Sequence, residues 1–493
     1  MSIRISKSSY IRGLHCPKSL FLEKYHRELK VVSEATKSLF RNGTMVGEVA
    51  RGLFPGGVMI PNIPDKNGQD KQIRLTLEAI ESEVEVIYEA AFLYDGAFTK
   101  LDILKKGEGG DGWEIHEVKS GTSASPVYLE DVAFQYHVVT GAGLHVSSVN
   151  LLYINNQYIR QGDLDLHELF ASEDATQFSV ERTTFVVEEL ARQRAILTGE
   201  IPEQGIEKHC SNPYECEYQA HCWQHVPEDS VFDIRGNGID KFALYNQGIV
   251  KQADIPAEVL VLMNAKQRQQ VEATISKENS INVEAIKGFL GGLEFPICLF
   301  DVETFTSPIP LYDGLKPYQQ TPFQYSLHVV EENDDIRHHE FLAQPGIDPR
   351  GPFIESLAAH MPVDGCVMAF NKSFETGILQ DMAKRFPQHE ALVSNWVGGM
   401  VDLMVPFRQR DVYCWQMKGS YSIKYVLPAL VPELTYEGFE IANGSAAMEA
   451  YHSMCKVKDD AEKLTGIRAN LLRYCQLDTY AMVRIVEVLK GMA

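Results

Sequence analysis

No apolar run in the sequence reaches the ~18 residues that a membrane-spanning helix requires, and the opening stretch MSIRISKSSY lacks the apolar core of a secretory leader. From both absences neither a helical anchor nor a cleaved leader is expected, and a cytoplasmic protein with no membrane partner is. Positive charge is also scarce. Lys and Arg number 46 against 67 Asp and Glu, a formal net charge of −21 at pH 7, which argues against a broad basic surface that neutralises duplex phosphates. The one local exception is residues 1 to 30, where Arg4, Lys7, Arg12, Lys18, Lys24, Arg27 and Lys30 face only Glu23 and Glu28. That segment reads either as a local strand-binding channel or as a solvated helix face. Cysteines are few, 9 in 493 residues, and in a reducing compartment a cluster of them points to metal or burial rather than to disulfides. Internal repeats and low-complexity tracts are absent.

The chain is long enough for two or three cores, and its punctuation divides it into three. Residues 1–225 open with a helical pattern and pass through strand-like segments at Val84 to Leu104 and Trp113 to Val118. They end in a helix near Phe185 to Leu197 and a Cys-rich loop. Residues 226–290 are helical and polar. Within them short Gly-punctuated helices such as DKFALYNQGI read first as a plain packing spacer, with a helix-hairpin-helix that touches a DNA backbone as the alternative. Residues 291–493 open with a buried strand in GGLEFPICLFDVETF and then alternate strands with helices, the pattern of an α/β sheet.

Acidic residues carry the first candidate chemistry. Asp102 is placed at the end of a strand in AAFLYDGAFTKLDIL, and Glu117 and Lys119, two apart in WEIHEVKSG, leave one face of the next strand. Two carboxylates suit Mg²⁺ or Mn²⁺, and a neighbouring ammonium orients water or offsets charge developing on a phosphate. Four thiols form a second group: Cys16 in LHCPKSLFLEKYH, then Cys210, Cys216 and Cys222 in HCSNPYECEYQAHCW. Soft thiolates select an iron-sulfur cluster or zinc, and His209, His221 and His225 keep zinc open as the alternative. Cys298, Cys366, Cys414, Cys455 and Cys475 stand singly and read as core.

The order Gly47-Glu48, Asp102, Glu117, Lys119, Gln135-Tyr136 resembles the PD-(D/E)XK nucleases, in particular their RecB branch. With Pro17 directly after Cys16 and three closely spaced later cysteines, residues 1–225 are similar to the iron-sulfur members of that branch, which include CRISPR-adaptation exonucleases and AddB-type recombination nucleases. The resemblance implies a [4Fe-4S] cluster on Cys16, Cys210, Cys216 and Cys222. It also implies a metal site on Glu48, Asp102 and Glu117, with Glu48 where many members carry His, and a DNA-contacting pair in Gln135 and Tyr136.

A further acidic pattern lies downstream. Asp301 and Glu303 are two apart on the buried strand ICLFDVETF, where closely packed carboxylates need a counter-charge. Tyr474 and Asp478, four apart in LLRYCQLDTYAMVRIVEVL, share one face of a long amphipathic helix. In the stretch AFNKSFE, Asn371 and Glu375 supply a polar residue and a middle acid. This order resembles the DnaQ-like 3′→5′ exonucleases of the DEDDy type, with Glu375 in place of the family's Asp. The resemblance implies an RNase H-like fold with metal on Asp301, Glu303, Glu375 and Asp478, a water-positioning Tyr474, and Asn371 near substrate. Asp402 and the segment KGSYSIKYVLPAL then read as structural.

The expectation for the whole chain is a Mg²⁺ or Mn²⁺ dependent deoxyribonuclease acting on single strands or free DNA ends. Its catalytic residues are expected to be Asp102, Glu117 and Lys119 at one site and Asp301, Glu303, Tyr474 and Asp478 at the other. The alternatives are an end-binding protein with one degenerate unit, and an exonuclease acting on RNA.

Overall fold

The computed structural model describes residues 3–65 and 67–493 and is mixed α/β. The chain divides into two compact units, residues 1–224 with 307–319, and residues 225–306 with 320–493. Among the described residues, no helix is long and apolar enough to cross a membrane.

The first unit is built on a seven-stranded sheet: β1 (Ile5–Ser6), β2 (Val58–Met59), β3 (Val86–Tyr94), β4 (Ala97–Lys106), β5 (Trp113–Lys119), β6 (Val146–Ile154) and β7 (Phe170–Asp174). Strands β2 to β7 pair in chain order and β1 lies alongside β4. Local chemistry sets the first hairpin. Asp95 and Gly96 both take positive φ (42° and 73°), the primed turn whose twist matches two antiparallel strands, and Tyr94 pairs with Ala97 across it. Strands β5 and β6 run parallel and so need a crossover. The helix Pro126–Gly141 supplies it, with Ser125 accepting from the Tyr128 amide and Pro126 in its first turn. That helix is buried along most of its length, with Phe134 and Val138 in one core with Ile87, Leu101, Ile115, Val149 and Val186. Asp102 sits in the middle of β4 and not at its end, because the apolar alternation continues beyond it through Ile103 and Leu104. Residues 307–319 belong to this unit: Ile309 is buried beside Val46 and Tyr158, and the Tyr318 hydroxyl donates to the Ser120 carbonyl.

The second unit contains β8 (Ser280–Ile281), β9 (Ile297–Phe305), β10 (Thr321–Val330), β11 (Ile336–Leu342), β12 (Cys366–Ala369), β13 (Val401–Asp402) and β14 (Val412–Tyr413). Its five-stranded sheet runs β11-β10-β9-β12-β13, and β8 pairs only with β14. Central β9 is antiparallel to β10 and parallel to β12. Because side chains alternate, β9 feeds two cores. Cys298, Phe300 and Val302 pack with Phe353, Leu357 and Trp396, whereas Ile297 and Leu299 pack with Met482, Ile485 and Leu489 of the helix Ala461–Met492. The odd-numbered face therefore lies under the C-terminal helix. Residues 226–290 count with this unit and hold a small cluster of Val231, Ile234, Leu244, Ile255, Met263 and Val271. Buried Gln252 and Gln270 satisfy the carbonyls of Ser230 and Asp233 there.

Candidate functional site

Asp301 and Glu303 continue the odd-numbered face of β9 and so point toward the C-terminal helix. On that helix Leu471, Tyr474, Cys475, Asp478 and Met482 recur at three- and four-residue spacing and are buried. Their registration comes from β10, which pairs with β9 in unbroken register from Gln324 to Val330, past a bulge between Pro322 and Gln324. Gln324, opposite Glu303, donates to the Leu471 carbonyl at 2.8 Å. Ser326, opposite Asp301, and His328 reach the Thr479 hydroxyl at 2.6 and 2.8 Å. Helix and strand thereby bring one carboxylate oxygen each of Asp301, Glu303 and Asp478 within 4.8 Å of one another.

Two phenols and a thiol surround this trio. The Tyr474 phenol favours the charged forms of Glu303 and Asp478, the Tyr436 hydroxyl donates to Asp478 Oδ1 at 2.5 Å, and the Cys475 thiol donates to Asp301 Oδ2 at 3.6 Å. Cys475 is in the core, as its sequence surroundings imply, and is also part of the site. Cys455, grouped with it from sequence, is only half-buried. The amino end of the helix Gly444–Lys456 abuts Glu303, since a Cβ on Gly444 would lie 3.4 Å from Oε2. Partial positive charge at a helix amino end favours an acid there. Neither Tyr436 nor Gly444 carries a sequence signal of its own; proximity in the fold alone recruits them.

Burial, and then the acids' mutual repulsion, pushes Glu303 and Asp478 above the ordinary carboxylate range, and burial does the same to Asp301. Lys424, exposed on the helix Ile423–Leu430, opposes the shift at Glu303 and Asp478. The segment around Lys424, read from sequence as structural, thus also shapes the field. Glu375 is buried beside this group, pushed up to about 9 by burial and by Asp301, and its Oε2 has no hydrogen-bond partner. It does not join the trio at 4.8 Å. Asn371 has φ 76° and an exposed side chain, and its amide donates to Asp402 Oδ1 at 3.1 Å. Asp402 also accepts from the Met404 amide at 3.0 Å, so it ties two loop turns together.

The first acidic group differs in its counter-charges. Asp102 Oδ2 accepts from the Val118 amide at 2.8 Å. Glu117 Oε1 accepts from Lys119 at 2.7 Å and from Lys7 at 2.6 Å, and Lys119 also donates to Asp131. Burial raises the Glu117 carboxyl, but Lys119 and Lys7 overcome that and hold it below the usual range, while Asp102 is pushed up by burial and by Glu117. Glu117 Oε2 remains without a partner. Gln135 reaches the group through Asp131 Oδ1 at 3.3 Å, whereas Tyr136 packs against the core. Glu48 is exposed, with no hydrogen bond or ion pair to these residues among those described. Asp131 is not among the residues expected from sequence, although it stands one helical turn before Gln135; Lys7 had only its place in a basic run to mark it.

Cys16, Cys210, Cys216 and Cys222 line one cavity with Lys18 and His209. None is in a disulfide. Burial and the neighbouring thiols push Cys16 up to about 11. Of the three histidines, His209 lies 3.8 Å from the Cys210 sulfur, whereas His225 belongs to the second unit and bonds Tyr245 at 2.6 Å.

Raised acids give a signed pH dependence. Asp301, Glu303, Asp478 and Glu375 hold protons in the folded chain that the unfolded chain releases near pH 4, so they lower stability as pH rises from about 4 to about 9. Without divalent ions, Asp478→Asn, which imitates the neutral acid, is expected to match wild type in melting temperature at pH 5 and to exceed it at pH 9. Equal differences at both pH values would show that these acids are not held protonated.

Residues 298–422 match a family described as "Domain of unknown function (DUF2779)". Comparison with curated proteins gives no match. The matched segment contains Asp301, Glu303, Asn371, Glu375 and Asp402 and ends before the C-terminal helix that carries Tyr474 and Asp478.

Proposed function

We propose that the chain is a metal-dependent nuclease that hydrolyses phosphodiester bonds in DNA, at single strands or free ends. In this reading residues 1–225 form a PD-(D/E)XK unit of the RecB-like, iron-sulfur kind, and residues 291–493 form an RNase H-like unit of the DnaQ, DEDDy kind. The observation that carries it is the trio Asp301, Glu303 and Asp478: three carboxyl groups, Glu303 and Asp478 buried and Asp301 half-buried, converge within 4.8 Å, and no ammonium hydrogen-bonds to any of them among the described residues. Such a group fits Mg²⁺ or Mn²⁺, which favour oxygen donors. A bound divalent cation supplies positive charge against the reacting phosphate and activates water. The Tyr474 phenol, beside Glu303 and Asp478, would orient the attacking water, and Glu375 adds a fourth acid beside Asp301. At the first site Asp102 and the free Oε2 of Glu117 would hold the cation, and Lys119 offsets charge developing on the phosphate.

Cys16, Cys210, Cys216 and Cys222 line one cavity and none is in a disulfide, the soft-donor set that suits an iron-sulfur cluster, with zinc as the alternative. Cys16, Cys210, Cys216 and Cys222 would hold a [4Fe-4S] cluster that ties the first helices to the end of the unit.

One observation favours a second reading for the first unit. Lys7 and Lys119 already neutralise Glu117, and Glu48 stays outside, which is what a strand-binding unit without cleavage would need.

Labelled single-stranded DNA separates these readings. Asp301→Ala is expected to abolish stepwise release of mononucleotides from a 3′ end and to leave Glu117-dependent cleavage intact, with Tyr474→Phe intermediate. Stepwise 3′ degradation at the wild-type rate in Asp301→Ala, Glu117→Ala protein would rule out the exonuclease assignment. Cleavage products unchanged by Glu117→Ala alone would make the first unit a binding unit.

The cluster makes its own prediction. Purified protein is expected to be brown, with absorption near ~400 nm from cysteine-ligated iron, and Cys216→Ala is expected to lose iron and melt lower because metal binding is coupled to folding. Colourless protein with stoichiometric zinc would contradict it.

A further inference from the structure

Most cations of the first thirty residues are spent on local acids. Arg4 pairs with Asp70 at 2.7 Å, Arg12 with Glu217, Arg27 with Glu23 at 3.2 Å, and Lys30 with Glu23 and Glu217, each at 3.2 Å. Lys7 departs from this pattern by entering the acidic group of the first site. It shares Glu117 Oε1 with Lys119, at 2.6 and 2.7 Å, so two ammonium groups crowd one oxygen while Oε2 of the same carboxylate has no partner.

The two lysines are not held alike. Lys119 donates to both Glu117 and Asp131, and its side chain is 16% exposed. Lys7 has one short bond, stands 3.7 Å from Asp131, and is 25% exposed. A divalent cation arriving on Glu117 adds positive charge against both ammonium groups, and like charges this close repel strongly in a partly buried site. Lys7, the less tethered and more exposed of the two, is the one that gives way. A nucleic-acid backbone brings the negative charge that the released ammonium needs. Glu117 itself is almost fully buried, so a flexible single strand reaches this point more readily than a stiff duplex.

We propose that Lys7 is a phosphate-binding residue of the first site: when a divalent cation takes Glu117, the Lys7 ammonium leaves that carboxylate and pairs with a backbone phosphate of single-stranded nucleic acid. The inference rests on the nuclease reading of this site and adds to it a substrate contact and an exchange of partners. No covalent bond changes; one ammonium trades a carboxylate for a phosphodiester.

Binding of oligothymidylate to the full chain, with Ca²⁺ in place of Mg²⁺ and salt varied from about 50 to about 200 mM, tests it. Each phosphate neutralised on a single strand contributes about 0.7 to the slope of log affinity against log salt. Lys7→Gln and Lys7→Met are expected to lower that slope by about 0.7, and Lys7→Arg to keep it. In the absence of nucleic acid, Lys7→Gln is expected to bind Mn²⁺ at Glu117 more tightly than wild type, because the competing ammonium is gone. An unchanged slope in folded Lys7→Gln and Lys7→Met protein overturns the phosphate contact. Weaker Mn²⁺ binding in Lys7→Gln overturns the exchange. If Mn²⁺ binding by wild type and Glu117→Gln is the same, the nuclease reading of the site fails first, and the role of Lys7 falls with it.

Discussion

Three carboxyl groups packed together between a central strand and the last helix are the constraint on which the second unit depends. Burial and mutual repulsion keep Glu303 and Asp478 protonated well above the ordinary range, and burial keeps Asp301 so. A fold that needed only stability would not place them there, because apolar side chains of similar volume fill such a space at lower cost. Their convergence instead requires Gln324, Ser326 and His328 to fix the helix against the sheet, using polar groups that are themselves buried. The unit gives up local stability to hold these acids together, a cost that a divalent cation would offset in the proposed reading.

The first unit solves the same problem in another way. Asp102, Glu117 and Asp131 are met by Lys7 and Lys119, so its acids are largely neutralised within the chain. The physical difference lies in where the counter-charge comes from. In the first unit two ammonium groups supply it within the chain, whereas in the second no ammonium hydrogen-bonds to the acids among the described residues, and burial raises them above the ordinary carboxylate range. Two acidic groups of similar composition are thus expected to differ in metal affinity.

Much of this was legible in the sequence because strand alternation and helix spacing are local rules. The pairs Asp301/Glu303 and Glu117/Lys119 on strands, and Tyr474/Asp478 on a helix, follow from periods of two and of nearly four. The buried strand Ile297–Phe305 and the long last helix lie where the apolar pattern puts them. What escaped was long-range. Lys7 lies 110 residues from Glu117 and Tyr436 lies 42 from Asp478, and no spacing rule reaches so far. Asp102 fell in mid-strand because the apolar alternation runs on past it. Cys475 looked like ordinary core because its contact with Asp301 crosses from helix to sheet. Glu48 stayed outside because its helix exposes that position.

The claim at the centre is that the trio is a divalent-cation site in which Glu303 and Asp478 hold protons until the cation arrives. Calorimetric titration of the metal-free protein with Mn²⁺ near pH 7, repeated in buffers of different ionisation enthalpy, measures both binding and the protons released with it. Saturable binding that releases protons, and whose trio component disappears in the Asp301→Asn, Asp478→Asn double variant to leave only the Glu117 site, is the expected result. Binding that is identical in the double variant, or that proceeds without proton release, would contradict the account.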